Sequence, residues 1–204
     1  MLFDDTYRTI AAPAEGLFRD RGSKFLAFAY PIGGELESKN WLLRLRELHP
    51  KANHHCYAYR LGLDRTHFRL SDDGEPSGSA GRPILNTLYA HDLTNVLVVV
   101  VRYFGGTLLG VPGLINAYKT ATQEALQNAK IIEKSVEDVY DIRFDYQQMN
   151  EVMKIIKALE LPLTHQVFDN ECSITLNIRK TLLNQAIERL EKIDSISIKY
   201  LKTI

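Results

Sequence analysis

The sequence has no long hydrophobic run, only two cysteines and no net charge. Its longest apolar run, Val96 to Val101, has the length of a strand, whereas a helix needs about 20 apolar residues to cross a bilayer. Acidic residues at Asp4 and Asp5 stand where a secretory signal peptide would carry basic ones. We therefore expect a cytosolic protein without a membrane-spanning segment.

The scarcity of cysteine excludes a disulfide framework. Cys56 and Cys172 are far apart, and neither belongs to a C-x-x-C pair, so we expect two reduced thiols in strands. The 25 basic and 25 acidic residues cancel to a formal net charge of zero. The chain therefore has no strongly basic footprint for nucleic acid, and contact with RNA would require a local patch.

The C-terminal region changes between strand and helix periodicity. Apolar and polar residues alternate in its predicted strands, whereas Met149, Val152 and Ile156 share one face of a predicted helix. The predicted strands are residues 139–146, 163–168, 173–178 and 196–201, and the predicted helices are residues 149–160 and 182–190. This β-α-β-β-α-β order predicts a ferredoxin-like domain.

The N-terminal region is longer and less regular. Its predicted strands are residues 23–32, 54–61 and 95–104, and its predicted helices are residues 36–48, 84–91 and 113–129. The strand at residues 95–104 is apolar throughout, which indicates a central strand covered on both faces. Strands and helices alternate, so we predict the α+β class, with two α/β domains joined by a short charged stretch at residues 132–138.

A polar segment at residues 71–82 interrupts this pattern. Its acids, Asp72, Asp73 and Glu75, stand among turn-forming glycines and prolines. The spacing fits neither an EF-hand nor the G-x-S-x-G nucleophile elbow. Besides catalysis, two interpretations stay open: an ordered turn that caps the next helix, or a surface that recognises a ligand or partner. The candidate recognition residues here are Asp72, Asp73, Glu75 and Ser77.

A second unusual segment, residues 102–114, leads from the apolar strand into the longest predicted helix. Glycine-rich backbone before a helix exposes amide donors, and the helix dipole adds partial positive charge, so anions bind such turns readily. Gly105, Gly106 and Gly113 would supply this backbone. The spacing matches neither the P-loop nor G-x-G-x-x-G, and such turns also occur without a ligand.

A third segment, residues 51–60, places histidines and tyrosines on a predicted strand. Neighbours on a strand point to opposite faces, so His55 and Tyr57 face one side and His54 the other. One face would pack in the core, while His55 and Tyr57, with Tyr103, would offer a recognition surface able to stack on unpaired bases. Adjacent histidines on a strand cannot easily share a metal, and the sequence completes no zinc set. We predict no metal and no cofactor.

Four segments together resemble the IMPACT/YigZ family. They are residues 23–25 (SKF), 54–60 (HHCYAYR), 72–81 (DDGEPSGSAG) and 102–106 (RYFGG). The resemblance covers most of residues 20–130. It implies an N-terminal domain, residues 1–134, with the ribosomal protein S5 domain 2-like fold. It also implies a ferredoxin-like C-terminal domain, residues 135–204, akin to domains of elongation factor G.

The resemblance further implies a role in translation. Eukaryotic IMPACT proteins regulate translation by competing for an activator of a stress-responsive initiation-factor kinase. By this resemblance the chain would be a regulatory binding protein whose partner is RNA, the ribosome or a translation-regulatory protein. The bacterial members are linked to RNA or ribosomes by fold alone, which is a weak basis for a function.

The chain departs from the pattern of many family members at three positions. Leu108 stands for a lysine, Pro112 for a glycine and Asn116 for an arginine. Two cations are therefore missing near the predicted anion site. The site would depend on other basic residues together with backbone amides. These residues are Lys24, Arg82, Arg102 and Lys119.

A hydrolase and a pure protein-interaction module are the alternatives to this function. In a hydrolase, the acidic segment at residues 71–82 would supply the general base, and Ser77, Ser79 or Cys56 the nucleophile. No base, nucleophile and orienting group stand together at a recognised spacing, so binding is the preferred hypothesis. Zero net charge suits a protein-interaction module better than bulk RNA binding.

Overall fold

The computed structural model describes residues 5–62, 66–169 and 171–204. The chain divides into two compact units. Residues 7–134 form the N-terminal unit, and residues 135–204 form the C-terminal unit together with Asp5 and Thr6. Both units contain helices and strands, which confirms the predicted α+β class with two units.

The N-terminal unit is built on a five-stranded antiparallel sheet. Its elements in chain order are β1 (Thr6–Ile10), β2 (Ala14–Asp20), β3 (Ser23–Pro31), α1 (Glu35–Leu48), β4 (His54–Leu61), β5 (His67–Ser71), α2 (Gly81–Ala90), β6 (Val96–Tyr103), α3 (Gly110–Gln127) and β7 (Ile131–Ser135). The strand order is β2-β3-β6-β4-β5, and β1 pairs with β7 in a separate two-stranded sheet.

Strand β6 lies at the centre of this sheet because its side chains are apolar on both faces. On one face, Val100 belongs to a buried core with Leu85 of α2 and Tyr118 of α3. On the other face, Val99 belongs to a second core with Leu45 of α1. Residues of β6 are fully buried from its first valine through Val101. The predicted central strand, covered on both sides, is confirmed.

The sequence patterns do not indicate β1, β2, β5 or β7. Strands β2 and β5 lie at the two edges of the sheet, and apolar residues such as Leu17 and Phe68 remain exposed there, so their alternation is weak. Strand β7 occupies most of the predicted charged junction. Helices α2 and α3 begin at Gly81 and Gly110 rather than at residues 84 and 113, because glycine and proline in a first turn carry little helical signal.

The C-terminal unit is a four-stranded antiparallel sheet with two helices. Its elements are β8 (Glu137–Asp145), α4 (Met149–Ala158), β9 (Leu163–Val167), β10 (Glu171–Arg179), α5 (Leu183–Leu190) and β11 (Ser197–Thr203). The strand order is β11-β8-β10-β9. Ile142 of β8 and Ile174 of β10 share one core with Val152 of α4. The predicted β-α-β-β-α-β order is confirmed.

The structure also describes both cysteines and the apolar character of the helices. Cys56 in β4 and Cys172 in β10 are free thiols, and both are fully buried. Among the described residues, no helix is long and apolar enough to cross a membrane.

Candidate functional site

The candidate site is built on a row of side chains that crosses the N-terminal sheet. Arg102 of β6 pairs in register with Phe25 of β3 and with His54 of β4. Phe25 belongs to the core on the side of the sheet that α2 and α3 cover. Arg102 and His54 are each two residues from a member of that core, so all three side chains face α2 and α3. The Arg102 guanidinium carbon lies 5.3 Å from the centre of the Phe25 ring, so the ring covers one face of the cation.

Glu75 brings the acidic loop, residues 72–80, onto this row. Its Oε1 accepts a hydrogen bond of 2.5 Å from Arg102 Nη1 and one of 2.7 Å from the Tyr118 hydroxyl, and His54 Nε2 lies 3.8 Å away. The side chains of Glu75 and Arg102 are only 4% and 6% exposed. A buried charge is tolerated only when it is paired and hydrogen-bonded. Here the pairing and hydrogen bonding come from Glu75 of the loop, Arg102 of β6 and Tyr118 of α3.

Cys56 completes what we call the Glu75 network: Cys56, Glu75, Arg102 and Tyr118. The Cys56 thiol lies 3.3 Å from the Tyr118 hydroxyl and 3.0 Å from the backbone carbonyl of Asp72, and it can donate to either. Burial raises the pKa of the Cys56 thiol and of the Tyr118 hydroxyl, and the Glu75 carboxylate raises both further. Both groups are neutral, so Cys56 lacks the thiolate that a nucleophile requires.

Asp72 organises the acidic loop. Its Oδ1 accepts hydrogen bonds from the backbone N–H groups of Ala80 and Gly81, at 3.0 and 2.8 Å. Its Oδ2 accepts one from the N–H of Gly78 at 2.9 Å. Ala80 and Gly81 stand at the start of α2, where backbone donors lack partners within the helix. Asp72 therefore caps α2 from outside the helix, as the helix-capping interpretation of this segment predicts.

Asp73 ties the loop to β4 and α1. Its Oδ2 accepts a hydrogen bond of 2.6 Å from the His55 N–H, and its Oδ1 accepts one of 2.8 Å from Arg46 Nη2. Burial raises the pKa of the Asp73 carboxyl, but the hydrogen bonds from His55 and Arg46 outweigh burial and leave this pKa below its ordinary value. Asp73 itself has a φ of 42° and Gly74 one of 88°, so the loop makes a tight left-handed turn here.

The predicted recognition face of His55, Tyr57 and Tyr103 is not open. His55 is 5% exposed, and its pKa is lowered, chiefly by burial. Tyr57 and Tyr103 are half-buried, and the Tyr103 hydroxyl lies 2.9 Å from His49 Nδ1. The prediction that one face of this strand is exposed is wrong, because α1 covers the face that α2 and α3 leave free.

Arg102 and Gly105, two of the predicted anion-binding residues, are already engaged inside the protein. Arg102 is paired with Glu75 as described. The Gly105 N–H donates to Ser23 Oγ at 3.1 Å, and a Cβ on Gly105 would overlap the backbone of Gly22 and Ser23. The turn between β2 and β3 therefore covers the glycine bend, Gly105 and Gly106, on the Gly105 side. Neither Arg102 nor the Gly105 amide is left for an outside anion.

The other predicted residues of this group lie in different surroundings. Gly106 has a φ of 85° and is exposed, whereas Gly113 lies inside α3 rather than ahead of it. Lys24 is half-buried in β3, opposite Tyr103 in register. The structure therefore does not gather the three predicted glycines into one anion-binding turn.

Arg82 and Lys119 meet at a groove between α2 and α3. The groove has a volume of about 370 Å³, and we call it the α2–α3 groove. It is lined by Gly78, Arg82, Pro83, Asn86, Thr87, Ala90, Ile115, Lys119 and Gln123. Both cations are exposed, and neither forms a hydrogen bond or ion pair with any residue that the structure describes. They are the two predicted cations that line one groove, whereas Lys24 is half-buried in β3.

The two serines of the acidic loop lack a base. Ser79 is buried and donates its hydroxyl to the Pro76 carbonyl at 2.6 Å, whereas Ser77 is exposed. The loop carboxylates accept hydrogen bonds from amides, Arg46, Arg102 and Tyr118 rather than from a serine. Within the described ranges, no three His, Cys, Asp or Glu side chains cluster so as to hold a metal ion.

Tyr118 and Arg46 belong to the site, although the sequence patterns do not indicate them. Tyr118 lies on the apolar face of α3, where an aromatic residue is ordinary core, and only the position of its hydroxyl beside Glu75 makes it part of the network. Arg46 is one of several basic residues on α1. A signal for either one would require knowledge of the sheet register, which a single sequence does not contain.

The chain is similar to several known proteins. Residues 21–126 match the Impact N-terminal domain family. An IMPACT family member of Haemophilus influenzae is 33% identical over 176 residues, which cover 83% of this chain and 84% of that protein. IMPACT family member YigZ of Escherichia coli is 33% identical over 148 residues, 72% of each chain. A crystal structure of a hypothetical protein is 25% identical, with a TM-score of 0.71 over 97% of this chain and 98% of that one.

These similarities agree with the geometry of the N-terminal unit. The matched range includes the row of Phe25, Arg102 and His54, the acidic loop that Glu75 joins to this row, and Gly105, which Ser23 holds. The two relatives extend the similarity through most of the chain. This chain belongs to the IMPACT family.

Proposed function

We propose that this protein is a cytosolic, translation-associated regulatory binding protein, which contacts the ribosome, RNA or a translation-regulatory protein through its N-terminal unit. Membership of the IMPACT family supports a role in translation, since the resemblance implies that role for eukaryotic members. One observation carries the proposal. The charges of the Glu75 network are buried and paired, whereas Arg82 and Lys119 remain free at the α2–α3 groove.

The engagement of the acidic loop supports binding rather than catalysis. A general base must be within hydrogen-bond reach of the proton that it removes. Asp72 accepts hydrogen bonds from three backbone amides, and Asp73 accepts them from the His55 amide and from Arg46. Glu75 Oε1 accepts hydrogen bonds from Arg102 and Tyr118. These contacts make the loop a rigid support for the start of α2, which forms one wall of the groove.

The α2–α3 groove is suited to an anionic group. Arg82 of α2 and Lys119 of α3 both line it, so an anion in the groove would be attracted by cations from two helices. Hydrogen bonds between charged groups are stronger than those between neutral ones. The helices are fixed by the core beneath them, where Leu85 and Tyr118 are fully buried. The core therefore fixes the backbone positions from which the two cations extend.

The domain folds implied by the resemblance support the same role. Both the ribosomal protein S5 domain 2-like fold and the ferredoxin-like domains of elongation factor G occur in the translation machinery. A fold by itself does not determine a function. The folds therefore support a role in translation, and the two exposed cations of the groove support a binding surface.

Cosedimentation with purified ribosomes tests the proposal. Wild type is compared with the groove variant, Arg82→Gln/Lys119→Gln, and with the control Lys39→Gln, which removes an exposed cation from α1 on the other side of the sheet. We expect wild type and Lys39→Gln to sediment with ribosomes at low salt and to dissociate as salt is raised. We expect the groove variant to bind about tenfold more weakly, because two charged contacts are lost.

The salt dependence gives a second readout in the same experiment. The groove variant loses two charged contacts to its partner, so its affinity should fall less steeply with salt than that of wild type. Absence of cosedimentation at every salt concentration would contradict contact with the ribosome. Equal loss of binding in Lys39→Gln would contradict the assignment to the groove.

A further inference from the structure

The beginning of α3 exposes a row of aliphatic side chains. Leu108 is 82% exposed, just ahead of the helix, and Val111 and Ile115 are about half exposed within it. Single exposed apolar residues are ordinary on protein surfaces, but a contiguous group that adjoins a groove often marks an interaction site. We call Leu108, Val111 and Ile115 the α3 stripe.

The α3 stripe continues into the α2–α3 groove. Val111, Ile115 and Lys119 follow one another at four-residue spacing, so they are neighbours on one side of the helix. Ile115 and Lys119 both line the groove. The exposed surface therefore changes along α3 from aliphatic to cationic without a break.

The opposite wall of the groove has a matching character. Pro83 and Ala90 of α2 are apolar, and Arg82 of α2 is the second free cation. Asn86 of α2 and, across the groove, Gln123 of α3 add amide groups that can donate to or accept from a polypeptide backbone. The surface thus offers aliphatic contact, two unpaired positive charges and uncharged hydrogen-bonding groups.

We infer that the α3 stripe and the α2–α3 groove bind an acidic amphipathic segment of another protein. This inference rests on the proposed function and names the partner class of its site. Charge complementarity identifies the occupant: carboxylates would pair with Arg82 and Lys119, and aliphatic side chains at helical spacing would cover the stripe. An RNA strand suits this surface less well, because its bases stack on aromatic rings and, within the part of the chain that the structure describes, no aromatic side chain lines the α2–α3 groove.

Photocrosslinking from the stripe tests this inference in cells that contain the full chain. The photoreactive residue p-benzoylphenylalanine replaces Leu108 in one variant and Leu36 in the matched control. Leu36 is 72% exposed on α1, which packs on the opposite face of the sheet. Adducts are treated with nuclease, separated and mapped by mass spectrometry to the segment that is crosslinked.

We expect the Leu108 position, and not the Leu36 position, to form a nuclease-resistant adduct with a protein segment. That segment should carry net negative charge and aliphatic residues spaced three or four apart. Adding Ile115→Glu, or Arg82→Glu/Lys119→Glu, should reduce the adduct at least about tenfold, because like charges then face the partner. Retention of the folded state by these variants is checked by circular dichroism.

Several outcomes would overturn the inference. They are an adduct destroyed by nuclease, an adduct with a second copy of this chain, an adduct with a basic segment, and a yield no higher than at Leu36. Cosedimentation of wild type with ribosomes separates this inference from the proposed function. Cosedimentation without the acidic adduct would leave the translation role standing and overturn the partner class. The acidic adduct without cosedimentation would leave the partner class standing and overturn contact with the ribosome.

Discussion

The Glu75 carboxylate is the acceptor on which the buried network depends. One oxygen serves both Arg102 and Tyr118, and the cation it neutralises is almost fully buried. Among the described residues, Arg102 Nε is one of the few buried side-chain atoms without a hydrogen-bond partner. No other carboxylate that the structure describes forms an ion pair with Arg102, so loss of the Glu75 carboxylate would leave a buried, unpaired charge.

We predict that Glu75→Gln lowers the free energy of unfolding by about 3 kcal/mol, the scale of breaking a buried ion pair by removing one partner. Urea denaturation of the single variants Glu75→Gln and Arg102→Met measures each loss. The double variant should lose less than the sum of the two by about 1–3 kcal/mol, because neither charge is then left unpaired. Strictly additive losses would show that the two side chains do not interact.

The Asp73 carboxyl makes stability depend on acidity. Its pKa in the folded protein is below the ordinary value of 3.8. The ionised carboxylate therefore stabilises the fold above about pH 4, and this contribution is lost as pH falls through the folded pKa. We predict that wild type exceeds Asp73→Asn in unfolding free energy at neutral pH, and that the difference shrinks in acid.

Denaturation curves of the two proteins between pH 7 and pH 3 measure this difference. The control is Asp194→Asn, which removes an exposed carboxylate from the C-terminal unit and should change unfolding free energy by less than about 0.5 kcal/mol. A difference between wild type and Asp73→Asn that grows as pH falls would contradict the assigned direction of the pKa shift.

The acidic loop and α2 form one element pair, because Asp72 satisfies the amides at the helix start. Loss of this cap should destabilise α2 and with it one wall of the α2–α3 groove. We predict that Asp72→Ala lowers the free energy of unfolding by about 2 kcal/mol. Amide hydrogen exchange at Gly78, Ala80 and Gly81 should accelerate in the same variant.

The matched control is Ser77→Ala in the same loop. Ser77 is exposed, so its loss should change the unfolding free energy by less than about 0.5 kcal/mol. If Asp72→Ala were as mild as Ser77→Ala, the loop would not depend on the cap. If exchange rose only at residues far from α2, the cap would not act on that helix.

The elements that the sequence predicts well are those with strong periodicity. Strand β6 and the helices of the C-terminal unit have apolar faces that are visible in the sequence, and the structure contains them. Edge strands β2 and β5 escape prediction because apolar residues such as Leu17 and Phe68 lie on their exposed sides, which disturbs the alternation of apolar and polar residues. The starts of α2 and α3 are not predicted, because glycine and proline favour helix weakly. In addition, the cap of α2 comes from Asp72 in the preceding loop.

Only part of the candidate site could be predicted in the same way. The sequence indicates that the acidic loop and the Arg102 bend are special, and the structure joins them through Glu75. It does not indicate that Arg102 is buried, because burial depends on Tyr118 and Phe25 approaching from other elements. The meeting of Arg82 with Lys119 likewise depends on how α2 packs beside α3.

In the N-terminal unit as a whole, charges divide into an interior set and a surface set. The Glu75 network holds the loop, sheet and α3 together, whereas Arg82 and Lys119 remain available at the groove. The interior charges therefore stabilise the fold, and the surface cations are available for binding. Neutral substitutions inside the network should weaken the fold without changing the groove, and substitutions at the groove should change binding without unfolding the protein.

Ribosome affinity of two double variants tests this division most directly. The network variant, Glu75→Gln/Arg102→Met, removes the interior charges, and the groove variant, Arg82→Gln/Lys119→Gln, removes the surface cations. At a temperature where circular dichroism shows both to be folded, we predict wild-type affinity for the network variant and a loss of about tenfold or more for the groove variant. The opposite pattern, with binding lost in the network variant and retained in the groove variant, would contradict the account.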